Sequence, residues 1–211
     1  MKESRMTASQ KIMKKKARFK AEIDRRLPKE KSDALWQVAT DRLAALLEQY
    51  SSLPEGLRFH TENKIFPAAA IYLTLKDSIG QDDAYRIIED ATFKTADAAA
   101  KMLSVLLRLP GMRSLFVKIW DPLTRKMFGE KSGFQNVFYP KKKDEYRMDV
   151  VSCPYNLYFT KLGCPELTKI SCGADDHVYG GLPGLKFERT TTIGRGGNRC
   201  DFIIQKSMHE F

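Results

Sequence analysis

Chemically reactive side chains are concentrated in the last third of this 211-residue chain. The densest group is the run Cys-Gly-Ala-Asp-Asp-His at residues 172–177, which supplies a thiol, two carboxylates and an imidazole. A thiolate beside a general base is a nucleophile at neutral pH, so this run is typical of nucleophilic catalysis. For Asp175 the alternative is a structural role as the cap of a short helix that begins near Asp176.

A second group of polar residues occupies positions 189–202 and predicts a hairpin with Arg189 on one strand and Cys200 and Asp201 on the other. Alternation along the first strand places Arg189 on the inward face, where a cation needs a partner. That partner is either an anionic ligand or a carboxylate of Asp176 or Asp201, and the pattern leaves both open. The Gly-Arg-Gly-Gly-Asn turn between the strands is consistent with an anion-binding nest, although hairpin turns favour the same residues.

The chain has four cysteines, and their spacing argues against a structural zinc site because no pair is separated by only two residues. No phosphate-binding loop, serine-hydrolase elbow or zinc-protease motif occurs. We therefore expect no cofactor, with a bound metal ion as the less favoured alternative. The first 34 residues contain no apolar run typical of a secretory signal, so we expect a cytoplasmic protein with reduced thiols.

The formal net charge of +10 (36 Lys and Arg against 26 Asp and Glu) initially favours a nucleic acid or an anionic membrane as partner. Residues 1–26, however, hold ten basic and three acidic residues, and the rest of the chain carries only +3. Phe19 is the one aromatic residue of this basic segment, which therefore lacks a platform for base stacking. We expect a solvated basic helix and no nucleic-acid binding. Membrane contact through residues 1–26 is the less favoured alternative, and the oligomeric state is not predicted.

Apolar residues recur at helical spacing over residues 7–128, whereas residues 134–206 combine strand-like alternation with short helices. Helices followed by an antiparallel sheet predict an α+β fold. We expect a basic helix or tail at 1–26 and one α+β domain at 27–211, helical over 27–130 and sheet-containing over 131–211. We interpret residues 103–120 as a core helix interrupted at Pro110, with an interfacial membrane helix as the alternative.

Element boundaries follow from the proline, glycine and capping residues. In the first half they predict helices from residue 7 to 26, from 32 to about 53, from 61 to 80, from 82 to 109 and from 113 to 128. In the second half they predict a hairpin of strands 134–139 and 146–151, helices 154–162 and 165–172, and strands 185–192 and 200–206.

Four ordered motifs resemble the L-2-amino-thiazoline-4-carboxylic acid hydrolase family. They are VVSCPY at 150–155, LGCPEL at 162–167, CGADD at 172–176 and RTTTIGRGGNRCDF at 189–202. The close resemblance covers about the last 60 residues, and a looser one extends it to roughly 140. The basic segment 1–26 lies outside it.

The resemblance implies a hydrolase that acts on a C–N bond of a small cyclic amidine. The reaction in the family name opens the ring of L-2-amino-thiazoline-4-carboxylate to give N-carbamoyl-cysteine, a step in making cysteine. The residues present suit this chemistry, since a nucleophile must attack the ring carbon C2 and a leaving atom must be protonated.

For this reaction we predict Cys200 or Cys172 as nucleophile and Asp176 or Asp201 as proton carrier. Arg189 is predicted to hold the substrate carboxylate through a bidentate pair. The remaining residues predicted to line the substrate site are Cys153, Tyr155, His177 and His60. The competing hypothesis is a non-catalytic module that senses a small ligand or a metal ion through a cysteine-lined pocket.

Overall fold

The computed structural model describes residues 2–140 and 142–207, with side chains from residue 5 onward. The helices of this part of the chain are α1 (Lys2–Lys14), α2 (Ala17–Arg26), α3 (Lys29–Gln49), α4 (Glu55–His60), α5 (Phe66–Ile79), α6 (Gln81–Leu107), α7 (Met112–Met127), α8 (Pro154–Lys161) and α9 (Leu167–Tyr179). The strands are β1 (Gln135–Phe138), β2 (Glu145–Ser152), β3 (Leu185–Glu188) and β4 (Cys200–Lys206). Most helices precede the sheet, which confirms the predicted α+β class.

The helical part is built around α5, whose side chains Ile71, Tyr72 and Leu75 are fully buried. Helices α3 and α6 pack on either side of it and contribute further aliphatic residues to one core. A π-helical turn, Thr61–Ile65, joins α4 to α5. The helix predicted over residues 61–80 therefore begins at Thr61, and its first turn has this unusual geometry. Such turns are rare and frequently lie at functional sites.

Helices α1 and α2 pack against the same core through Met13 and Ile23. The chain turns at Lys15 and Lys16, where we predicted one continuous helix. The Lys16 ammonium donates a hydrogen bond to the Asn63 carbonyl, and burial, aided by repulsion from Lys64, lowers its pKa to about 8. Intramolecular contacts therefore engage part of the basic charge of this segment. None of the helices described here is long and apolar enough to cross a bilayer.

The four strands form an antiparallel sheet in the order β1-β2-β4-β3. Cys200 at the start of β4 pairs with Val150 on β2, so the end of β2 and the start of α8 lie beside the start of β4. Strand β3 ends at Glu188, earlier than predicted, because the Asp201 carboxylate accepts the N–H groups of Thr190 and Thr191. One residue of the β1–β2 turn, Lys141, lies outside the described residues.

Helix α9 is one uninterrupted helix, which corrects two predictions. We expected a helix to end at Cys172 and a new one, capped by Asp175, to begin near Asp176, but residues 172–177 all lie inside α9. Gly173 is a packing residue here, because a Cβ atom at this position would lie 2.9 Å from the Phe93 ring of α6. The glycine permits close contact between two helices and does not mark a turn.

Candidate active site

The thiols of Cys172 on α9 and Cys200 on β4 are hydrogen-bonded to each other. Cys172 accepts this bond together with bonds from the Gly194 N–H and the Thr192 hydroxyl. The bond from Cys200 is the largest cause, and the three donors together outweigh burial and lower the pKa of Cys172 to about 7. The same bond and burial raise the pKa of Cys200. These shifts favour Cys172 over Cys200 as the thiol that ionises first.

Two successive backbone N–H groups in the turn between β3 and β4 point at these sulfur atoms. Ile193 donates to Cys200 Sγ at 3.2 Å and Gly194 donates to Cys172. The N–H groups of the next three residues instead bind the carbonyl oxygens of Thr192 and Ile193. The anion-binding nest predicted for the Gly-Arg-Gly-Gly-Asn turn thus directs its first N–H group at the Cys172 sulfur. The N–H groups that follow form the hydrogen bonds that close the turn.

Gly194 is required where the turn meets α9. A Cβ atom here would lie 2.9 Å from Cys172 Sγ and 3.0 Å from the backbone carbonyl of Thr168. Since helix backbone cannot move aside as a flexible side chain does, only glycine lets the turn approach closely enough to donate to the sulfur.

Arg189 links α9 to the sheet. Its side chain is 3% exposed, and its Nη atoms bind Asp175 Oδ2 at 3.0 Å and Asp176 Oδ1 at 2.6 Å. Nη2 also donates to the Cys172 carbonyl, and the guanidinium lies over the Phe187 ring. Among the partners that the sequence left open for Arg189, the one bound in the structure is the carboxylate of Asp176. Both Nη atoms of Arg189 are therefore occupied. Its buried Nε forms no hydrogen bond within the described residues.

Asp175 lies three residues after Cys172 on α9, which places both side chains on one helix face. Burial raises the pKa of Asp175 to about 6, although the Arg189 guanidinium opposes this shift. Its side chain is nevertheless 45% exposed to water. Asp175 thus lies partly exposed against the buried Arg189 guanidinium, and its surroundings are called the recess below.

Two further predicted site residues, Cys153 and Tyr155, are likewise partly exposed, and burial likewise shifts their pKa values. Burial raises the pKa of Cys153 to about 11 and also raises that of Tyr155. The charge of Cys153 acts on Cys200, and the charges of Cys172 and Asp175 act on Cys153, so the four groups share one neighbourhood. Tyr155 is influenced by Cys153 and Asp175 and therefore faces the same recess.

His60 lies behind Tyr155 and is buried among aromatic rings. Its Nε2 is 2.8 Å from the Met127 carbonyl, which can only accept, so Nε2 carries the proton. The other nitrogen, Nδ1, is 3.2 Å from the Tyr155 hydroxyl and accepts from it. Burial lowers the pKa of His60, which keeps the ring neutral. His60 thus orients Tyr155 and reaches the cysteines only through it.

The other predicted residues lie at the edge of the recess or away from it. Asp201 accepts four hydrogen bonds from Thr190 and Thr191; burial opposes ionisation, but these bonds prevail and lower its pKa. His177 stacks on Phe93 and pairs with Asp97 at 2.8 Å, both on α6. Cys164 is buried in the helical core, apart from the other three cysteines.

No three side chains among the described His, Cys, Asp and Glu residues form a set that could hold a metal ion. A surface hollow of about 520 Å³ does not contain the cysteines. It runs along one face of α6 and is lined by Asp97, Ala100, Lys101, Ser104, Val105 and Arg108. The reactive side chains and this hollow are therefore on different parts of the surface, and the candidate site is argued from the side-chain geometry.

The family model of L-2-amino-thiazoline-4-carboxylic acid hydrolase matches residues 58–204, well over half of the chain. The chain belongs to this family. The match confirms the resemblance found in the sequence and contains every candidate site residue, including His60. Helices α1 and α2 precede the matched region. No curated protein and no solved structure matches the chain significantly.

The sequence left the role of one residue near the cysteines open and gave no role to another. For Asp175 the sequence left a catalytic carboxylate and a helix cap both open, and the continuous helix places it one turn from Cys172. Arg195, in the β3–β4 turn, received no role, yet its exposed guanidinium binds Asp176 Oδ2 at 2.9 Å. The helix periodicity was a usable signal for Asp175, whereas the position of Arg195 depends on how the turn folds over α9.

The low pKa of Cys172 predicts selective alkylation. Because thiolate forms as pH rises through the pKa, the rate of iodoacetamide labelling at Cys172 should rise with a midpoint near pH 7. Cys153 and Cys164, whose pKa values burial raises to about 11 and 12, should label slowly at that pH. Peptide mapping by mass spectrometry measures each rate. Equal labelling of the three thiols at neutral pH would contradict the assigned thiolate.

A glycine pair provides a matched check of this interpretation. Gly194→Ala should displace the turn from α9, remove its hydrogen bond to Cys172 and move the midpoint to higher pH. Gly181→Ala is the control, since nothing lies within 4 Å of its added Cβ atom. An unchanged midpoint in Gly194→Ala would show that the turn does not set the pKa.

Proposed function

We propose that this protein hydrolyses a small cyclic amidine, such as L-2-amino-thiazoline-4-carboxylate, with Cys172 as nucleophile. The observation that carries the proposal is the Cys172 sulfur, which three donors hold with a pKa of about 7 one helical turn from Asp175. Membership of the hydrolase family supports the reaction class. The two groups titrate near neutral pH, as efficient nucleophilic and acid–base catalysis requires.

In the first step the Cys172 thiolate attacks C2 of the protonated amidine and forms an S–C2 bond. The tetrahedral adduct collapses with cleavage of the bond from C2 to the ring sulfur. Asp175, protonated below its pKa of about 6, donates a proton to this leaving sulfur. The ring is then open, and its former C2 is attached to Cys172 as an isothiourea.

In the second step water adds to the same carbon, and the Asp175 carboxylate accepts a proton from it. Collapse breaks the bond to Cys172 and releases N-carbamoyl-cysteine. Cys200 and the N–H of Gly194 stabilise the departing Cys172 thiolate through the hydrogen bonds that lower its pKa. An N-carbamoyl product keeps both C–N bonds of the amidine, so the bond broken at C2 is C–S and not the C–N bond inferred from the sequence.

We assign the substrate carboxylate to Arg195 in place of Arg189. Both Nη atoms of Arg189 are already engaged by protein oxygens, whereas the Arg195 side chain is exposed beside the recess. An exposed guanidinium can rotate to form a bidentate pair with a ligand. Arg189 instead holds Asp175 and Asp176 in place and acts as a positioning residue.

The direct test incubates the purified protein with L-2-amino-thiazoline-4-carboxylate and follows thiol release and product mass. We expect N-carbamoyl-cysteine, and we expect a rapid acid quench to trap the isothiourea on the peptide that contains Cys172. Release of ammonia would show C–N cleavage instead. Failure to consume this or any related cyclic amidine would contradict the proposed function.

A further inference from the structure

Helices α6 and α7 meet at a turn that exposes an unusual number of large apolar side chains. We define the α6–α7 corner as residues 98–120. Met102 and Val105 on α6 are 75% and 66% exposed, and the corner's other exposed apolar side chains are Leu106, Leu109, Leu115 and Ile119. The prediction of a core helix thus holds for Leu107, Phe116 and Val117 but not for these six. A contiguous apolar surface of this kind marks an interaction site.

Basic residues predominate around this surface, with Asp97 as the one carboxylate that lines the hollow. The α6–α7 corner contains four basic residues, Lys101, Arg108, Arg113 and Lys118, and no acidic residue. Lys101 on α6 and Arg108, directly after its end, are exposed and line the 520 Å³ hollow together with Val105 and Asp97. Neither forms an ion pair within the described part of the chain, in contrast to several cations of α1 and α2.

We propose that the α6–α7 corner is a membrane-binding surface whose partner is an anionic lipid bilayer. Exposed leucine, valine and methionine side chains suit the acyl boundary, and lysine and arginine beside them suit anionic headgroups. A second copy of the chain fits less well. In a two-fold interface the same patch faces itself, so the four basic residues of one corner would face the four of the other, with Asp97 as the one carboxylate lining the hollow.

The test measures sedimentation of the full-length protein with vesicles of phosphatidylcholine alone and of equal parts phosphatidylcholine and phosphatidylglycerol. We expect binding to the anionic vesicles and weaker binding to the neutral ones. The double substitution Lys101→Glu/Arg108→Glu should weaken binding to anionic vesicles by about thirtyfold or more, since each basic residue near the surface contributes about 1 kcal/mol. Circular dichroism confirms that each variant folds.

Two matched controls distinguish binding through the α6–α7 corner from general effects of net charge and of exposed apolar side chains. Lys11→Glu/Lys14→Glu makes the same charge change on exposed residues of α1 and should retain binding. Leu109→Ser/Leu115→Ser should weaken binding, whereas Leu157→Ser, at an exposed leucine of α8, should not. Absence of binding by the unmodified protein, or equal losses in the corner and α1 variants, would overturn the proposal. A lipid-free dimer that depends on Leu109 and Leu115 would also overturn it, in favour of a second copy.

Discussion

Replacing Cys172 with serine should abolish turnover of the cyclic amidine, with a loss of about 10³-fold or more in kcat, as expected when a covalent nucleophile is removed. Serine fits the space of the thiol, but its hydroxyl does not ionise near neutral pH. The hydrogen-bond donors that stabilise the Cys172 thiolate therefore have no anion to stabilise in this variant. The measurement is kcat and KM for L-2-amino-thiazoline-4-carboxylate, beside a thermal melt that confirms folding.

Two further cysteine variants make this result specific. Cys164→Ala removes a thiol from the helical core, where burial raises its pKa to about 12, and should leave turnover unchanged. Cys200→Ala removes the largest cause of the low Cys172 pKa. Its turnover should fall at neutral pH and recover as pH rises. If Cys200→Ala is inactive at every pH and Cys172→Ser retains activity, the two roles are reversed.

Replacing Arg189 with methionine should give the largest loss of stability. The substitution keeps most of the aliphatic volume but leaves Asp175 and Asp176 without the buried guanidinium that binds both. Breaking a buried pair costs about 3–5 kcal/mol, and we expect about 3 kcal/mol because the two carboxylates are partly exposed. Urea denaturation measures this loss, and the thermal midpoint should fall by roughly 10 °C.

The control for this variant is Arg195→Met, which breaks one exposed pair to the same Asp176 and should cost about 0–1 kcal/mol. Arg189→Lys keeps the charge but not the planar fork, so it should restore only part of the stability. Loss of the cation should also raise the pKa of Asp175 further. Similar small losses for Arg189→Met and Arg195→Met would show that Arg189 does not join α9 to the sheet.

Much of the fold could be predicted from local patterns. Helical periodicity, prolines at first turns and alternation along the strands indicated nearly all the elements and the α+β order. The errors fell where a glycine or an aspartate serves tertiary structure. The helix predicted over 165–172 continues through Gly173, which accommodates Phe93 of α6. Asp201, one of the two predicted proton carriers, also caps the backbone that follows β3, a role that is visible only once β3 and β4 are paired.

The sequence by itself determined the chemical inventory: the hydrolase-family motifs, the reactive residues near the C-terminus and an inward arginine with a carboxylate partner. Only the tertiary structure distinguishes the surroundings of the cysteines, because the lowered pKa of Cys172 depends on donors from a distant strand and turn. It likewise decided that residues 98–120 expose much of their apolar surface. Periodicity identifies the apolar face of a helix, but whether that face is covered depends on what the rest of the chain packs against it.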